Sequence, residues 1–251
     1  MMSIAAVRAW QVAVLLALLA AWMLAARYSP TLSDIVGDPR LVARTLAEFV
    51  ASGAIFHHAG ITFLEALIGF IAGAALGAAV AFLLAFVPFL RRLFDPLIGV
   101  FAVIPRIVLA PIFMVWFGLG ITSKAALVTV IVFFIVYFNV DAGLRSVSSV
   151  LVDRARVMGA RSFDLVRDIY LPASIVWVLS GLRVSVGFAF LGAIVAEYLG
   201  ANAGLGSLIA TAQALNDPNA VMAGLLVILI IVTPLDRVLT RIEKRAMAWR
   251  S

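Results

Sequence analysis

Four polar side chains stand inside long apolar segments of this sequence, and they are the residues best placed to do chemistry there: Arg106, Asn139, Arg183 and Glu197. A charge inside an apolar membrane segment is costly unless it faces protein or water, so each of these side chains is a functional candidate. Guanidinium groups suit sulfonate, carboxylate or nitrate oxygens because their N–H groups form forked hydrogen bonds. One hypothesis is therefore that Arg106 and Arg183 line a path for a small anion.

Two other interpretations of the arginines stay open. Each arginine could bond backbone carbonyls at a helix break, or pair with a carboxylate, and so hold the helices together. Each could instead extend its charged end to the membrane surface. Aromatic residues near these segments are interpreted as packing or lipid contacts rather than as a gate.

Side chains for covalent or hydrolytic catalysis are not grouped anywhere in the sequence. Cysteine is absent, and the only two histidines, His57 and His58, are adjacent, so that on a helix they point in different directions. The sequence shows no metal-ligand spacing and no G-x4-G-K-[ST] loop for nucleotide phosphates. We therefore predict no catalytic residue, no metal site and no ATP site in this chain.

Composition predicts an integral membrane protein. Of 251 residues, 65% are hydrophobic and 13% are charged, and the mean hydropathy is +1.15. A membrane-spanning helix needs about 20 predominantly apolar residues. The fold class predicted is all-α integral membrane, with about six transmembrane helices near 10–26, 59–88, 97–117, 125–144, 173–199 and 220–235.

The cationic residues sort by side of the membrane. Four of them fall on one side, namely Arg27, Arg40, Arg44 and Lys124, whereas most of the others fall on the opposite side. Because positive residues concentrate in the cytoplasm, both termini and the loop 145–172 are predicted to be cytoplasmic. The net charge of +6 is thus interpreted as a topology signal and not as a nucleic-acid footprint.

Two domains are predicted: 1–58, a retained transmembrane anchor followed by an external surface segment, and 59–251, the core. Asp38 and Pro39 form a helix start, a capping residue followed by a first-turn proline. The core begins with Gly69, Gly73 and Gly77, spaced four apart, which is typical of close helix packing in lipid. Glu65 is expected to lie near the outer end of the same span and to reach water.

Three further predictions concern the spans and turns of the core. The segment 91–96 is expected to return the chain at the cytoplasmic face. Pro105 and Pro111 should kink or partly unwind the third span. A second short outer helix is expected near 208–215.

One polar stretch, 153–172, reads DRARVMGARSFDLVRDIYLP. A helix through Val157 and Met158 should begin at Ser148 or Ser149 and end at Gly159, which tolerates a left-handed conformation. A second helix should start near Ser162 and stop before Pro172, which then opens the next span. The expected product is a bent helix pair with an apolar side, which can fit a groove of a partner protein.

The same stretch follows the pattern E-A-A-x3-G-x9-I-x-L-P, with Asp153 in place of Glu and Arg154 in place of Ala. It resembles the cytoplasmic loop of ABC importer permeases, and the chain is identified as similar to the nitrate/sulfonate/taurine group. Further matches are Gly181-Leu182-Arg183, Ala196-Glu197 and Gly204-Leu205-Gly206. The resemblance implies a type I importer fold with a coupling loop, 146–172, whose residues are Asp153, Arg154, Ala155, Val157, Met158, Gly159, Ile169, Leu171 and Pro172.

The resemblance also implies the partners and the cofactors. The chain would be the permease subunit of an ATP-driven importer in the bacterial inner membrane, taking up a small anionic solute. Its partners would be two ATP-binding subunits, which hold ATP and Mg, a second permease copy, an external solute-binding protein and membrane lipid. The alternatives are a gradient-driven secondary transporter or channel, and, for the loop alone, an ordinary basic connector on the lipid surface.

Overall fold

The computed structural model describes residues 4–247, and these residues form helices joined by short turns, without a strand among them. Two short segments have other helical forms: a 3-10 turn at Arg106–Leu109 and a π turn at Val166–Tyr170. The helices are α1 (Ile4–Tyr28), α2 (Pro30–Val36), α3 (Pro39–Ala51), α4 (Ala54–Phe86), α5 (Pro88–Val103), α6 (Ala110–Phe117), α7 (Ile121–Arg145), α8 (Ser149–Val157), α9 (Ser162–Leu165), α10 (Leu171–Gly200), α11 (Leu205–Ala214) and α12 (Pro218–Met247).

Helix α7 is the centre of the core, with α4 and α10 packed along it. The glycine stripe Gly69, Gly73 and Gly77 lies at the α4–α7 crossing. A Cβ at Gly69 would lie 2.4 Å from the Cβ of Val128, and one at Gly73 would lie 2.5 Å from the carbonyl oxygen of Thr129. These distances leave no room for a side chain, so the two backbones meet as closely as the spacing predicted.

Four stretches of helix are long and apolar enough to cross a membrane: Ala6–Tyr28, Ala54–Phe86, Ile121–Arg145 and the long segment Ser162–Ala214. The helix pair Pro88–Val103 and Arg106–Phe117 counts as a fifth span if it is taken as one, and Pro218–Pro234 is a shorter apolar helix. The predicted number of spans is therefore matched in outline, and the all-α membrane fold is confirmed.

The third span is broken rather than merely kinked. Its two halves meet at 90°, and Ile104 and Pro105 adopt extended backbone at the break. The turn expected at 91–96 was wrong, because these residues lie within α5. The chain turns at Val87 instead, where α4 ends and Pro88 begins α5 at a position that needs no N–H donor.

The end of the second loop helix was also predicted wrongly. α9 does not stop before Pro172 but continues through the π turn Val166–Tyr170 into α10. Proline lacks the N–H that an α-helical ladder requires, and the single π turn lies just before Pro172, inside an otherwise continuous helix. The loop's second half and the following span therefore form a continuous helix.

The outer helix α3 begins as expected. Asp38 caps it, accepting a hydrogen bond from the Arg40 amide at 2.8 Å. The Asp38 amide in turn donates to Asn219 Oδ1 at 2.8 Å, which ties the start of α3 to α12. Trp22 of α1 donates to the Gly37 carbonyl at 3.1 Å, so the anchor helix is joined to the core through the same corner.

Candidate docking loop and translocation path

Helix α8 ends in a Schellman motif, as the spacing around Gly159 predicted. Gly159 has a φ of +91°, its amide donates to the Arg156 carbonyl at 2.9 Å, and the Ala160 amide donates to the Ala155 carbonyl at 3.0 Å. Ser148 occupies the N-cap position, although its side chain makes no capping bond. At the next helix start, the Arg161 amide donates to Asp164 Oδ2 at 2.8 Å. Both sides of the bend are thus held by local bonds.

The bend presents an apolar tip. Val157 is 89% exposed, Met158 is 87% exposed and Phe163 is 71% exposed, whereas Val152 and Leu165 are buried beneath them. Large apolar side chains this exposed at a polar turn are typical of a surface that contacts a partner protein or lipid. We refer to Val157, Met158 and Phe163 as the docking tip.

The predicted coupling residues separate into two groups. Val157 and Met158 line one open groove on α8 together with Asp153 and Arg154, and Ala155 lies half-buried behind them. The others follow the bend: Ile169 is half-buried in the π turn, and Leu171 and Pro172 are exposed at the start of α10. The first group forms an exposed surface on α8, and the second group lies at the start of α10.

Arg106 lies at the break of the third span. Its Nη2 donates to the Ala102 carbonyl at 2.9 Å, and its guanidinium carbon lies 4.8 Å from the centroid of the Phe134 ring. Its Nε is buried and has no hydrogen-bond partner among the residues that the structure describes. The Arg106 side chain therefore has one unpaired N–H donor, and the face of the Phe134 ring stabilises its positive charge.

Asn139 and Arg183 lie on the facing helices α7 and α10. The amide of Asn139 donates to the Ile135 carbonyl of its own helix at 2.8 Å. A Cβ at Gly181 would lie 2.8 Å from the Cβ of Asn139, so Asn139 lies at a point where the two helices approach closely. Arg183, two residues further along α10, is half-buried.

Glu197 belongs to a buried charge cluster that was not foreseen. Its side chain is fully buried, and so is that of Lys124, while Glu65 is 2% exposed. The expectation that Glu65 reaches water was therefore wrong. Glu197 Oε2 accepts from the Gly206 amide at 2.7 Å, and the Lys124 ammonium donates to the Leu119 carbonyl. We refer to Glu65, Lys124 and Glu197 as the outer cluster.

The outer cluster lies against the turn between α10 and α11. The Leu205 amide donates to Thr62 Oγ1 at 2.9 Å, and the Gly204 amide donates to His58 Nδ1 at 3.0 Å. A Cβ at Gly204 would lie 2.2 Å from the Glu197 carboxylate, so only glycine fits there. In this arrangement Glu197 and its neighbours anchor a loop, and a path role for Glu197 stays a prediction.

The outer cluster did leave a signal in the sequence. Glu65, Lys124 and Glu197 occur near the corresponding ends of three apolar helices, and two of them carry a charge opposite to the third. Because Lys124 was grouped only with the cations on one side of the membrane, its common depth with the two glutamates was overlooked. Charged residues at one depth of a helix bundle are each costly against lipid, so their common depth predicts that they face one another inside the protein.

The family described as "Binding-protein-dependent transport system inner membrane component" matches residues 69–247. The chain belongs to this family. The permease is thus the membrane component of an ABC importer, and the matched region begins at the first glycine of the stripe and includes the loop 146–172.

Relatives cover nearly the whole permease. An aliphatic sulfonates transport permease protein of Bacillus subtilis, SsuC, is 30% identical over 93% of this chain and 85% of its own length. The taurine transport system permease protein TauC of Escherichia coli is 28% identical over 78% and 71%. The riboflavin transport system permease protein RibX of Chloroflexus aurantiacus is 27% identical over 94% and 88%.

The fold of the permease is that of a solved importer. The MetNI methionine ABC transporter, in inward-facing conformations, matches with a TM-score of 0.61 and 22% identity, over 78% of this chain and 96% of that chain. The sequence of the loop predicted a resemblance to ABC importer permeases, and this prediction is confirmed. A gradient-driven transporter is correspondingly disfavoured, because family membership assigns the permease to a system with separate ATP-binding and solute-binding partners.

Proposed function

We propose that two copies of this permease pair in the bacterial inner membrane, with both termini in the cytoplasm, and that each binds one ATPase subunit through the docking tip. The ATPase subunits would bind ATP and Mg, and the permease itself would hold no cofactor and hydrolyse nothing. A solute-binding protein would deliver the solute at the outer face. Nucleic acid is not among the proposed partners.

The observation that carries this proposal is the docking tip itself. A Schellman turn closed by Gly159 holds Val157 and Met158 almost fully exposed, next to the charged pair Asp153 and Arg154. A rigid apolar knob needs little ordering when it binds, so more of its contact energy is available for association. An ordinary lipid-surface connector would not require this fixed turn.

Co-purification with the cognate ATPase subunit tests docking. The double substitution of Val157→Asp and Met158→Asp should abolish capture, because it places carboxylates where apolar contact is expected. Glu48→Gln is the control, an exposed site on α3 far along the chain from the loop. Capture of the ATPase by the Asp variant at the wild-type level would show that the tip is not the docking surface.

The solute proposed is a small organic anion of the sulfonate class. Two arginines support this: Arg106, with its unbonded Nε beside Phe134, and Arg183, half-buried on α10. The names of the Bacillus subtilis and Escherichia coli relatives point to the same class. Asn139, at the α7–α10 crossing, is proposed to line the path between these arginines.

Uptake of taurine and of an alkanesulfonate by the assembled importer tests the solute class. Arg106→Gln and Arg183→Gln should each lower uptake of the anion, since glutamine keeps hydrogen-bond donors but removes the charge. A lysine at either position should restore part of the uptake. If both Gln variants retain full uptake with unchanged solute preference, the arginines are structural.

A further inference from the structure

A second group of charges connects α5 to the end of α7. Arg91 Nη2 contacts Asp141 Oδ1 at 2.8 Å, and Arg145 Nε contacts Asp141 Oδ2 at 2.7 Å. Asp95 lies 3.3 Å from Arg91 and 3.5 Å from Arg145, and it also accepts from the Tyr137 hydroxyl at 3.3 Å. We refer to Arg91, Asp95, Asp141 and Arg145 as the inner network.

Each aspartate of the inner network is shared by both arginines. If one arginine rotates away, the other still holds Asp95 and Asp141 in place. The side chains keep between 13% and 58% exposure, so water screens their attraction and the network adds little to stability. Its shared contacts instead fix the position of α5 relative to α7.

Packing alone holds helix α5 only weakly in position. No residue of Pro88–Val103 is buried, although Leu90 and Ile98 rest against the core. Its two ends depart from helical geometry, at the turn at Val87 and at the break at Ile104. By contrast, α7 is the most deeply buried helix of the core, so the inner network joins a loosely packed helix to a firmly packed one.

The two ends of this connection matter for transport. Arg145 is the last residue of α7, and α8 begins at Ser149, so the inner network lies within about one turn of the loop that carries the docking tip. At its other end, α5 leads to the break at which Arg106 lies. We infer that the inner network is a positioning device that makes α5, and with it Arg106, follow the docking loop.

This inference rests on the proposed docking role of the loop, and it makes one geometric demand. α5 and the docking loop must keep a constant separation while the ATPase cycles. Because the chain has no cysteine, labels can be placed without background. Spin labels on Phe89→Cys at the start of α5 and on Arg161→Cys beyond α8 report the separation directly, since both native side chains are exposed.

The experiment uses the permease assembled with its cognate ATPase, measured by electron paramagnetic resonance without nucleotide and after trapping with ATP and vanadate. With the native inner network we expect one narrow distance that stays unchanged on trapping. In the Asp95→Asn and Asp141→Asn double variant the distance should broaden and shift on trapping. Basal ATP hydrolysis should remain within about twofold of wild type, since a screened network contributes little to folding.

A fully reversed network is the decisive control: Arg91→Asp, Asp95→Arg, Asp141→Arg and Arg145→Asp together. It keeps every attractive pair and the number of positive charges, and it should restore the narrow distance. Arg44→Ala, which breaks an exposed ion pair on α3, should change nothing.

Three outcomes would overturn the inference. The native distance could change on trapping, the Asn variant could keep a narrow fixed distance, or the reversed network could fail to restore it in a complex that still assembles. Capture of the ATPase by each labelled chain is checked first. Loss of capture by the labelled wild type would overturn the docking proposal itself, whereas capture with any of the three outcomes overturns the linkage alone.

Discussion

Helix α7 carries charge at both of its ends, and the two ends differ. Near its start, Lys124 is fully buried with Glu65 and Glu197, and the surrounding hydrogen bonds close a loop. At its end, Asp141 and Arg145 belong to a network that water reaches. If the inner network positions α5 as inferred above, the Lys124 end of α7 serves to hold the bundle fixed and the Asp141 end serves to transmit movement.

Energetics support this division. Removing a charged hydrogen-bond donor from a buried carbonyl costs about 3 kcal/mol. Exposed pairs contribute about 0–1 kcal/mol. Substitutions at the two ends of α7 should therefore separate stability from coupling, and the following expectations test that separation from the largest effect to the smallest.

Lys124→Met should be the most damaging change. It removes the buried ammonium group that donates to the Leu119 carbonyl and lies near Glu65 and Glu197, and leaving that carbonyl without its donor should lower the free energy of unfolding by about 3 kcal/mol. Thermal unfolding of the purified protein in detergent measures it. Adding Glu65→Gln should recover part of the loss, and a Lys124→Met variant as stable as wild type would show that the outer cluster is not an anchor.

Gly73→Val, on α4 where it crosses the middle of α7, should have the next largest effect. The new side chain would meet the Thr129 carbonyl and the Val132 side chain, forcing α4 and α7 apart at a cost of about 1–3 kcal/mol. Gly60→Ala on the same helix is the matched control, because nothing lies within 4 Å of its Cβ position. Equal unfolding temperatures for the two variants would contradict close packing at the stripe.

Asp141→Asn should change stability by no more than about 1 kcal/mol, because the network is partly exposed. Solute uptake per ATP hydrolysed should nevertheless fall several-fold, since α5 would no longer follow the docking loop. Uptake and hydrolysis measured together in proteoliposomes give the ratio. A fall in both quantities by the same factor would point to lost protein instead of lost coupling.

Arg44→Ala should have the smallest effect. The Arg44–Glu48 pair is separated by one helical turn, and its side chains are 76% and 62% exposed. Its removal should change the free energy of unfolding by less than about 0.5 kcal/mol and leave the uptake ratio unaltered. A larger change would indicate that exposed pairs on this protein are not screened, and would weaken the contrast between the two ends of α7.

Local patterns predicted much of this molecule because they depend on neighbours in the chain. The Asp38–Pro39 helix start, the Gly159 turn and the glycine stripe all rest on spacing of this kind, and the structure has each of them in place. The family resemblance could also be read from neighbouring residues, because the loop pattern lies within one continuous stretch, 153–172.

Features that depend on distant residues were missed. The burial of Glu65 follows from its contacts with α7 and α10, which no local pattern reveals. The continuation of α9 into α10 runs through a π turn just before Pro172, and proline alone predicts only a stop. Similarly, the inner network joins residues 50 apart in sequence, from Arg91 to Asp141.

The unbroken course of α9, the π turn and α10 has a mechanical consequence. At 1.5 Å per residue, the helical path from Ser162 to Gly200 is about 58 Å long. It begins beside the docking tip and ends at the turn that Glu197 holds. The two features are therefore joined by one continuous helical backbone, along which a movement of the loop would reach the opposite end of the bundle.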